Sequence, residues 1–580
     1  MAELSGNHRP EGYRLVFLFL AFWASAQPAG AVADPTVPTG AALIQTWTAA
    51  YPNVNDYLIK WGQATPSTLP FDTSQPVYEI VPTQALNYVR LYAPGSSWAL
   101  GSWMMSAHSV RGLTAAQLQN LFALPVLPTN IVQVRAPAGS QYGLWTGIAG
   151  PITGWGDGGG QQTKVISTHA DATIPADPAD FASYTYLPAN NYVNGQALGA
   201  TALSYTRMIR SGNAGTMAAY LDTINPNDGT DLADVYTALD YLNYGTDPGP
   251  LTAALRQIGP ENFDALSAVG LRDDILFADT VMDRLAAPGG RGAWLQGVGD
   301  FGSQTQTADR VGFDEHGAGF VGGFDKRLEP GIIFGAAVGG IQNRVEWAND
   351  GGHAELDEAR FGLYAGFSGS AAFLNAALAG GWNQTDTWRH IDFTGRGYST
   401  SSGQDTVDLV IDRTAASLQT GQSLAAHCEG GTKMELGGWT ASPLARLSYF
   451  NLHQDAFDEG AADSLDLHVN GFTAQTLRSE LRLLVGRGFR HKTGSLKPRL
   501  ELGWAHDEPL DTRPISAHLV DQGDETSTFH GNDEAADRLI AGAGLSVDGP
   551  GGLSFNGSYR VELGTGFHEQ TAQLGLRYGF

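Results

Sequence analysis

The chain has 580 residues, with 34 Lys and Arg against 59 Asp and Glu, giving a formal net charge of −25. So acidic a chain lacks the basic footprint that nucleic-acid phosphates require, and its 25 Phe, 20 Tyr and 13 Trp exclude a disordered polymer. A single cysteine, Cys428, excludes a disulfide framework and a Cys-based zinc site.

Glycine supplies 74 residues and charged residues only 16%, a balance that points to β structure with close strand contacts. At the N-terminus His8, Arg9 and Arg14 precede the apolar run from Leu15 to Ala24, and Ala31-Val32-Ala33 stands before Asp34. Basic flank, short apolar stretch and small-residue exit are the order of a secretory signal peptide over residues 1–33, which implies Sec export. A second exit at Ala24-Ser25-Ala26 leaves the cleavage point open. The run is shorter than the ~20 residues of a spanning helix, which opposes an uncleaved anchor.

Residues 34–194 read as a small globular α+β module. The nucleophile turns Gly-Asp-Ser-Gly and Gly-x-Ser-x-Gly are missing from it. His108 and His169 lack metal-ligand spacing, so neither a metal nor a resident cofactor is expected. The segment from Asn87 to Val165 stands out. It holds an alternating strand with Arg90, then Gly101-Ser102-Trp103, and closes on Trp155-Gly156-Asp157-Gly158-Gly159-Gly160-Gln161-Gln162. A triple glycine lets backbone approach a ligand closely, a Gln can hold a hydroxyl pair, and an Arg can grip a diphosphate.

That order resembles the tuberculosis necrotizing toxin family of secreted NAD+ glycohydrolases over about 80 residues. The resemblance implies Gln162 and Arg90 as catalytic residues and Trp103, Trp155, Gly158, Gly159 and Gly160 as substrate-binding, with NAD+ as substrate. ADP-ribosyl transfer to a protein is the close variant. The chain departs from the family in Trp103 for Tyr, in one residue fewer before the glycines, and in Gly150-Pro151 for Ala-Pro. Taken without the resemblance, the three glycines read equally as a turn, Arg90 as a solvated strand residue, and Arg111 and Arg135 as surface charges. A noncatalytic adhesin with Trp98, Trp103, Trp145 and Trp155 as contact aromatics is the other reading of the module; its target is not legible.

Residues 195–270 carry apolar positions at helical spacing, as in Leu232 to Tyr244, and are predicted to form a helical stalk. Residues 271–290 hold the helix Leu271–Ala287 and the break Pro288-Gly289-Gly290.

From residue 291 to 580 the period is two. Ala359, Phe361, Leu363, Ala365 and Phe367 alternate with Arg360, Gly362, Tyr364, Gly366 and Ser368. Leu477, Ser479, Leu481, Leu483 and Val485 alternate with Arg478, Glu480, Arg482, Leu484 and Gly486. Strand-like segments about ten residues long, with Arg, Glu or Gly on the second face, suit a transmembrane β-barrel with a wet lumen. Roughly 290 residues at about 24 per strand give about twelve antiparallel strands.

Gly292-Ala293-Trp294-Leu295-Gln296-Gly297, Trp504-Ala505-His506-Asp507, and Gly564-Thr565-Gly566-Phe567-His568 before Leu574-Gly575-Leu576-Arg577-Tyr578-Gly579-Phe580 carry a second resemblance. This half resembles the translocator domain of bacterial autotransporters, the self-exporting type V secretion proteins. The resemblance implies a barrel in the outer-membrane lipid of a Gram-negative bacterium. It also implies insertion by the barrel assembly machinery, which reads Leu576, Tyr578 and Phe580, and a lumen helix leading to an exported passenger. The linker helix and closing motif oppose a simple porin.

Overall fold

Period-two patterning from residue 291 resolves into twelve long antiparallel strands. The computed structural model describes residues 35–47, 54–60, 62–97, 99, 101–136, 142–167, 196–286, 291–307, 310–329, 331–398, 406–491, 494–532 and 535–579. The segment predicted as a signal peptide, Trp98, His169, Pro288-Gly289-Gly290 and Phe580 lie outside the described residues.

The barrel strands are Arg291–Gln304, Phe313–Glu329, Ile332–Trp347, Gly352–Ser368, Ala372–Tyr398, Thr406–Thr432, Trp439–Gln454, Phe472–Gly486, Gly494–Pro509, Ala536–Asp548, Leu553–Gly564 and Phe567–Gly579. Each pairs with the next, and the last closes on the first from Phe567 opposite Gln304 to Gly579 opposite Gly292. Closure leaves no unpaired edge, the condition for crossing hydrocarbon with strands. Phe361, Leu363, Phe367, Leu481 and Leu483 face outward, while Arg360, Tyr364, Arg478 and Arg482 are buried inside. Leu574, Leu576 and Tyr578 of the last strand also point out, as does Cys428. So continuous an apolar band would drive aggregation in water and is covered by lipid. Among the described residues no helix is long and apolar enough to cross a membrane.

The ten-residue strand expectation is corrected. The fifth and sixth strands have 27 residues each, beyond the ~9–11 that span a bilayer, and they stay paired out to Tyr398 opposite Thr406. That tip lies at the end of the barrel opposite Gly579. A four-stranded sheet, Phe457–Asp458, Leu467–Val469, Pro514–Leu519 and Ser527–His530, stands there too.

The described residues also form seven α-helices: α1 (Val54–Lys60), α2 (Ala107–Val110), α3 (Ala115–Leu121), α4 (Gly212–Thr223), α5 (Asp231–Asn243), α6 (Gly249–Ile258) and α7 (Asn262–Ala286). In place of the stalk suggested by the sequence, α4, α5 and α6 share one apolar core with the long strands and the small sheet. Tyr236, Leu239, Leu255 and Phe263 pack there with Trp347, Ile391, Leu465 and Phe529. Short amphipathic helices are marginal alone and gain their stability from such packing.

The N-terminal module is one eight-stranded sheet of β1 (Ala41–Trp47), β2 (Val77–Pro82), β3 (Leu86–Tyr92), β4 (Trp103–Ser106), β5 (Asn130–Ala136), β6 (Tyr142–Ile148), β7 (Gln161–Ser167) and β8 (Gln196–Ala197). The strand order is β1-β2-β6-β7-β4-β3-β5-β8. Leu118 from α3 and Phe122 at its C-cap cover one patch of it with Leu198, Ala202 and Leu203. Elsewhere α1 packs Val54 and Leu58 on Trp145 and Ile166.

Candidate functional site

The sheet brings part of the sequence-predicted site together. Trp103 stands opposite Lys164 and Met105 opposite Gln162, with Val89 opposite Met105 on the next strand, so Arg90, Trp103 and Gln162 lie on three adjacent strands. Their side chains are engaged in the fold. Gln162 is buried, and its amide nitrogen donates to the Pro70 carbonyl at 2.6 Å. Arg90 Nη1 donates to the Trp103 carbonyl at 2.9 Å. The Trp103 ring packs on Phe71 with centroids 5.3 Å apart.

The triple glycine is a packing turn, and the reading of it as a diphosphate cradle is corrected. Gly158 N–H donates to the Asn120 carbonyl at 3.0 Å, Gly159 N–H to the Ala149 carbonyl at 2.9 Å and Gly160 N–H to the Leu121 carbonyl at 3.0 Å. Every donor that would meet a phosphate therefore meets the chain. Glycine is required for steric reasons. Gly158 and Gly159 have φ of +72° and +99°, and a Cβ on Gly158 would lie 2.3 Å from the Ala149 carbonyl oxygen. A Cβ on Gly160 would meet the Phe122 ring at 2.6 Å. Trp155 is half-buried in the turn that pairs Ile152 with Gly156.

Two further readings change. Trp145 is fully buried, so it cannot be a contact aromatic of an adhesin. Arg111 is a buried internal ion and not a surface charge: Nη2 meets Asp240 at 2.7 Å, Nη1 donates to the Leu203 carbonyl at 3.0 Å, and the guanidinium lies 4.6 Å from the Tyr236 ring centre. Sequence reasoning passed over Lys164. Its ammonium is buried, donates to Ser102 Oγ at 2.8 Å and sits 5.1 Å from the Trp103 ring centre. Burial, with Arg90 nearby, lowers its pKa to about 7. Its position at a buried register of an alternating strand was the only signal. Among the described residues no group of three His, Cys, Asp or Glu could hold a metal.

The second functional element is the barrel lumen, which α7 fills. Ile275, Leu276, Phe277, Val281 and Met282 pack against Trp294, Val321, Ile333 and Phe450. The acids of α7 meet the arginines of the inner strand faces. Asp279 is shared by Arg446, Arg560 and, at 3.5 Å, Arg482. Arg499 holds Asp283 at 2.8 Å, and Arg284 holds Asp325 at 2.6 Å. Buried charge is tolerable only when paired in this way.

Residues 293–560 match the family model described as the autotransporter beta-domain. The C-terminal half thus resembles an autotransporter β-domain. It resides in the outer membrane of a Gram-negative bacterium, with the N-terminal region as the displayed passenger. The chain is similar to the translocator domain of the autotransporter NalP from Neisseria meningitidis, at 19% identity over 55% of this chain and 98% of that one, TM-score 0.42. It is also similar to the β-domain of the Bordetella autotransporter Brka, at 20% identity over 50% of this chain and 100% of that one, TM-score 0.36. A third likeness is the transport unit of AIDA-I from Escherichia coli, at 13% identity over 50% and 90% of the two chains, TM-score 0.33. Nothing among curated proteins matches the chain.

Proposed function

We propose that the protein exports its own N-terminal sheet module through the outer membrane and keeps it anchored at the cell surface. The observation that carries this reading is the attachment of the helical layer to the barrel rim. Tyr220 OH accepts the Leu519 N–H at 2.9 Å, Arg389 Nη1 donates to the Gln257 carbonyl at 2.5 Å, and Arg413 pairs with Asp231 at 2.6 Å. The Arg111–Asp240 pair then joins that layer to the sheet. Barrel, helical layer and sheet are thus linked by contacts, buried at Tyr220 and Arg111, that a freed passenger would have to give up. The α7 helix begins at the helical layer and ends at Ala286, beside the barrel end that holds Arg291 and Gly579. Sec export of the precursor and insertion by the barrel assembly machinery, which would read Leu576, Tyr578 and Phe580, belong to this proposal.

Nothing in the geometry favours NAD+ hydrolysis, because Gln162 and the three glycine amides are spent on backbone partners. Among the described residues no tryptophan surface favours the adhesin reading either. The test is protease treatment of intact cells, with fractionation of cells and medium. The module should be cut on intact cells and be absent from the medium while the barrel resists. A module accumulating in the medium would overturn retention. In Asp279→Asn, three arginines lose their shared carboxylate, and the folded barrel should lose its resistance to hot detergent at a lower temperature than the parent.

A further inference from the structure

The outer wall of the barrel is apolar only up to a sharp line. On the fourth strand Ala359, Phe361, Leu363, Ala365 and Phe367 face out. They span about 26 Å along a tilted strand at ~3.3 Å per residue, which accounts for most of the ~25 Å apolar band of such barrels. Asp357 is the next outward residue. Trp347, at the end of the neighbouring strand, belongs to the core of the helical layer. The line therefore lies on the passenger side of the band, at the level of the outer leaflet.

Two rows of outward residues meet along that line. Strand register sets Gln342 opposite Asp357 and Asp357 opposite Gln384, a polar row across the third, fourth and fifth strands. One step toward the membrane, Phe320 pairs with Gly340, Gly340 with Ala359, and Ala359 with Trp382. Two large rings thus stand three strand spacings apart, about 14 Å, with only a glycine and an alanine between them. Both rows line one groove of about 690 Å³. Gln342, Asp357 and Gln384 are exposed, and among the described residues their side chains have no hydrogen-bond or ion-pair partner.

The chemistry of the groove selects a lipid. Its lower row lies in the apolar band, so the slot over Gly340 and Ala359 takes an acyl chain and not water. Its upper row offers a carboxylate between two amides, spread over about 10 Å at headgroup depth. A carboxylate accepts and an amide both accepts and donates, a set that suits a head rich in hydroxyl and amide N–H donors. Neither row holds Lys or Arg. Arg344, one step further out, is paired with Glu346 at 3.1 Å and Glu355 at 2.8 Å, so a phosphate head of phospholipid size finds no cation ready for it. Trp382 stands at the boundary, where an amphipathic ring serves both a chain and a wet headgroup. We infer that this groove binds a glycolipid of the outer leaflet, an acyl chain over Gly340 and Ala359 and a sugar ring on Gln342, Asp357 and Gln384.

The test uses the full chain, stripped of lipid in micelles of lauryldimethylamine oxide, whose headgroup is not a sugar. Lipid A, monoglucosyl diacylglycerol, phosphatidylethanolamine and phosphatidylglycerol are offered in equal amounts, and bound lipid is counted by native mass spectrometry. One glycolipid per chain should be retained in preference to either phospholipid. Ala359→Phe fills the slot and should abolish that retention. Asp357→Asn should weaken it about tenfold, because a hydrogen bond to a charged acceptor is lost. Leu502→Phe, at an outward position of the ninth strand, should change nothing. All three side chains face outward, and unchanged heat-modifiability of each variant on a gel will show that its barrel is intact. Phospholipids held as well as glycolipids, an Ala359→Phe variant that retains as much as the parent, or an equal loss in Leu502→Phe would overturn the inference.

Discussion

Replacing Arg111 by Met tests how the sheet is fixed to the helical layer. The change keeps much of the aliphatic volume but removes the ion that meets Asp240 at 2.7 Å, where the side chains are 5% and 1% exposed. Asp240 would then keep the Tyr205 side chain and Gln133 Nε2 at 3.4 Å. An orphaned buried charge costs about 3–5 kcal/mol, and the lost Leu203 and Tyr236 contacts fall within that range. For a unit of roughly this size that is a fall on the order of ten degrees in the module's melting temperature. Trp145, in the sheet core, would report it by fluorescence. The sign with pH follows from Asp240. Burial outweighs the pull of Arg111 and raises its carboxyl above the ordinary value. A raised carboxyl favours the fold fully only below the unfolded pKa of about 3.9, and that support is lost as pH rises through the folded value. Without Arg111 the folded value climbs further, so the penalty should be largest at neutral pH and shrink toward about pH 4. Adding Asp240→Asn should recover most of the loss, since no charge is then stranded. A penalty below about 1 kcal/mol at neutral pH, or one that ignores pH, would refute the reasoning.

Three further changes probe the module. Gly158→Ala should destabilise it by at least about 1–3 kcal/mol, because φ is +72° and the new Cβ would press on the Ala149 carbonyl; equal denaturation midpoints would contradict the packing-turn assignment. Lys164 has a folded pKa near 7 against an ordinary 10.5, so the unfolded chain binds more protons between those values and stability should rise with pH across that window. Lys164→Met should flatten the rise and stabilise the module at neutral pH, as read by denaturant unfolding at both ends of the window. Finally, the displayed module should release no nicotinamide from NAD+; release abolished by Gln162→Ala would restore the glycohydrolase reading.

The barrel was legible because its determinant is local and repeated. Alternation puts Leu481 and Leu483 in lipid and Arg478 and Arg482 in the lumen, and a one-residue slip would reverse every side chain. Strand length was less legible. Nothing within Ala372–Tyr398 marks where lipid ends, since the same alternation continues into the core shared with α5 and α6. The α7 helix reads as amphipathic in isolation, yet it is buried on all sides, with apolar residues and acids each finding a matching wall. Asp279 has its arginines on strands 167 to 281 residues away, so the pattern that explains those charges exists only after the barrel closes around them.

The glycines of the passenger show why a short motif reads ambiguously. Three successive amides with freedom at φ will accept a phosphate or a row of carbonyls with equal ease, and the residues alone carry no record of which arrives. Here the decision is made by α3, whose Asn120 lies 37 residues before Asp157 and whose last turn offers the carbonyls of Asn120 and Leu121. The capping box of Thr114 and Gln117 fixes the start of that helix, and with it where the unpaired carbonyls of its last turn fall. A helix C-terminus presents acceptors and partial negative charge, the opposite of what a diphosphate needs. The same contact therefore stabilises the turn and repels the ligand suggested by its glycines.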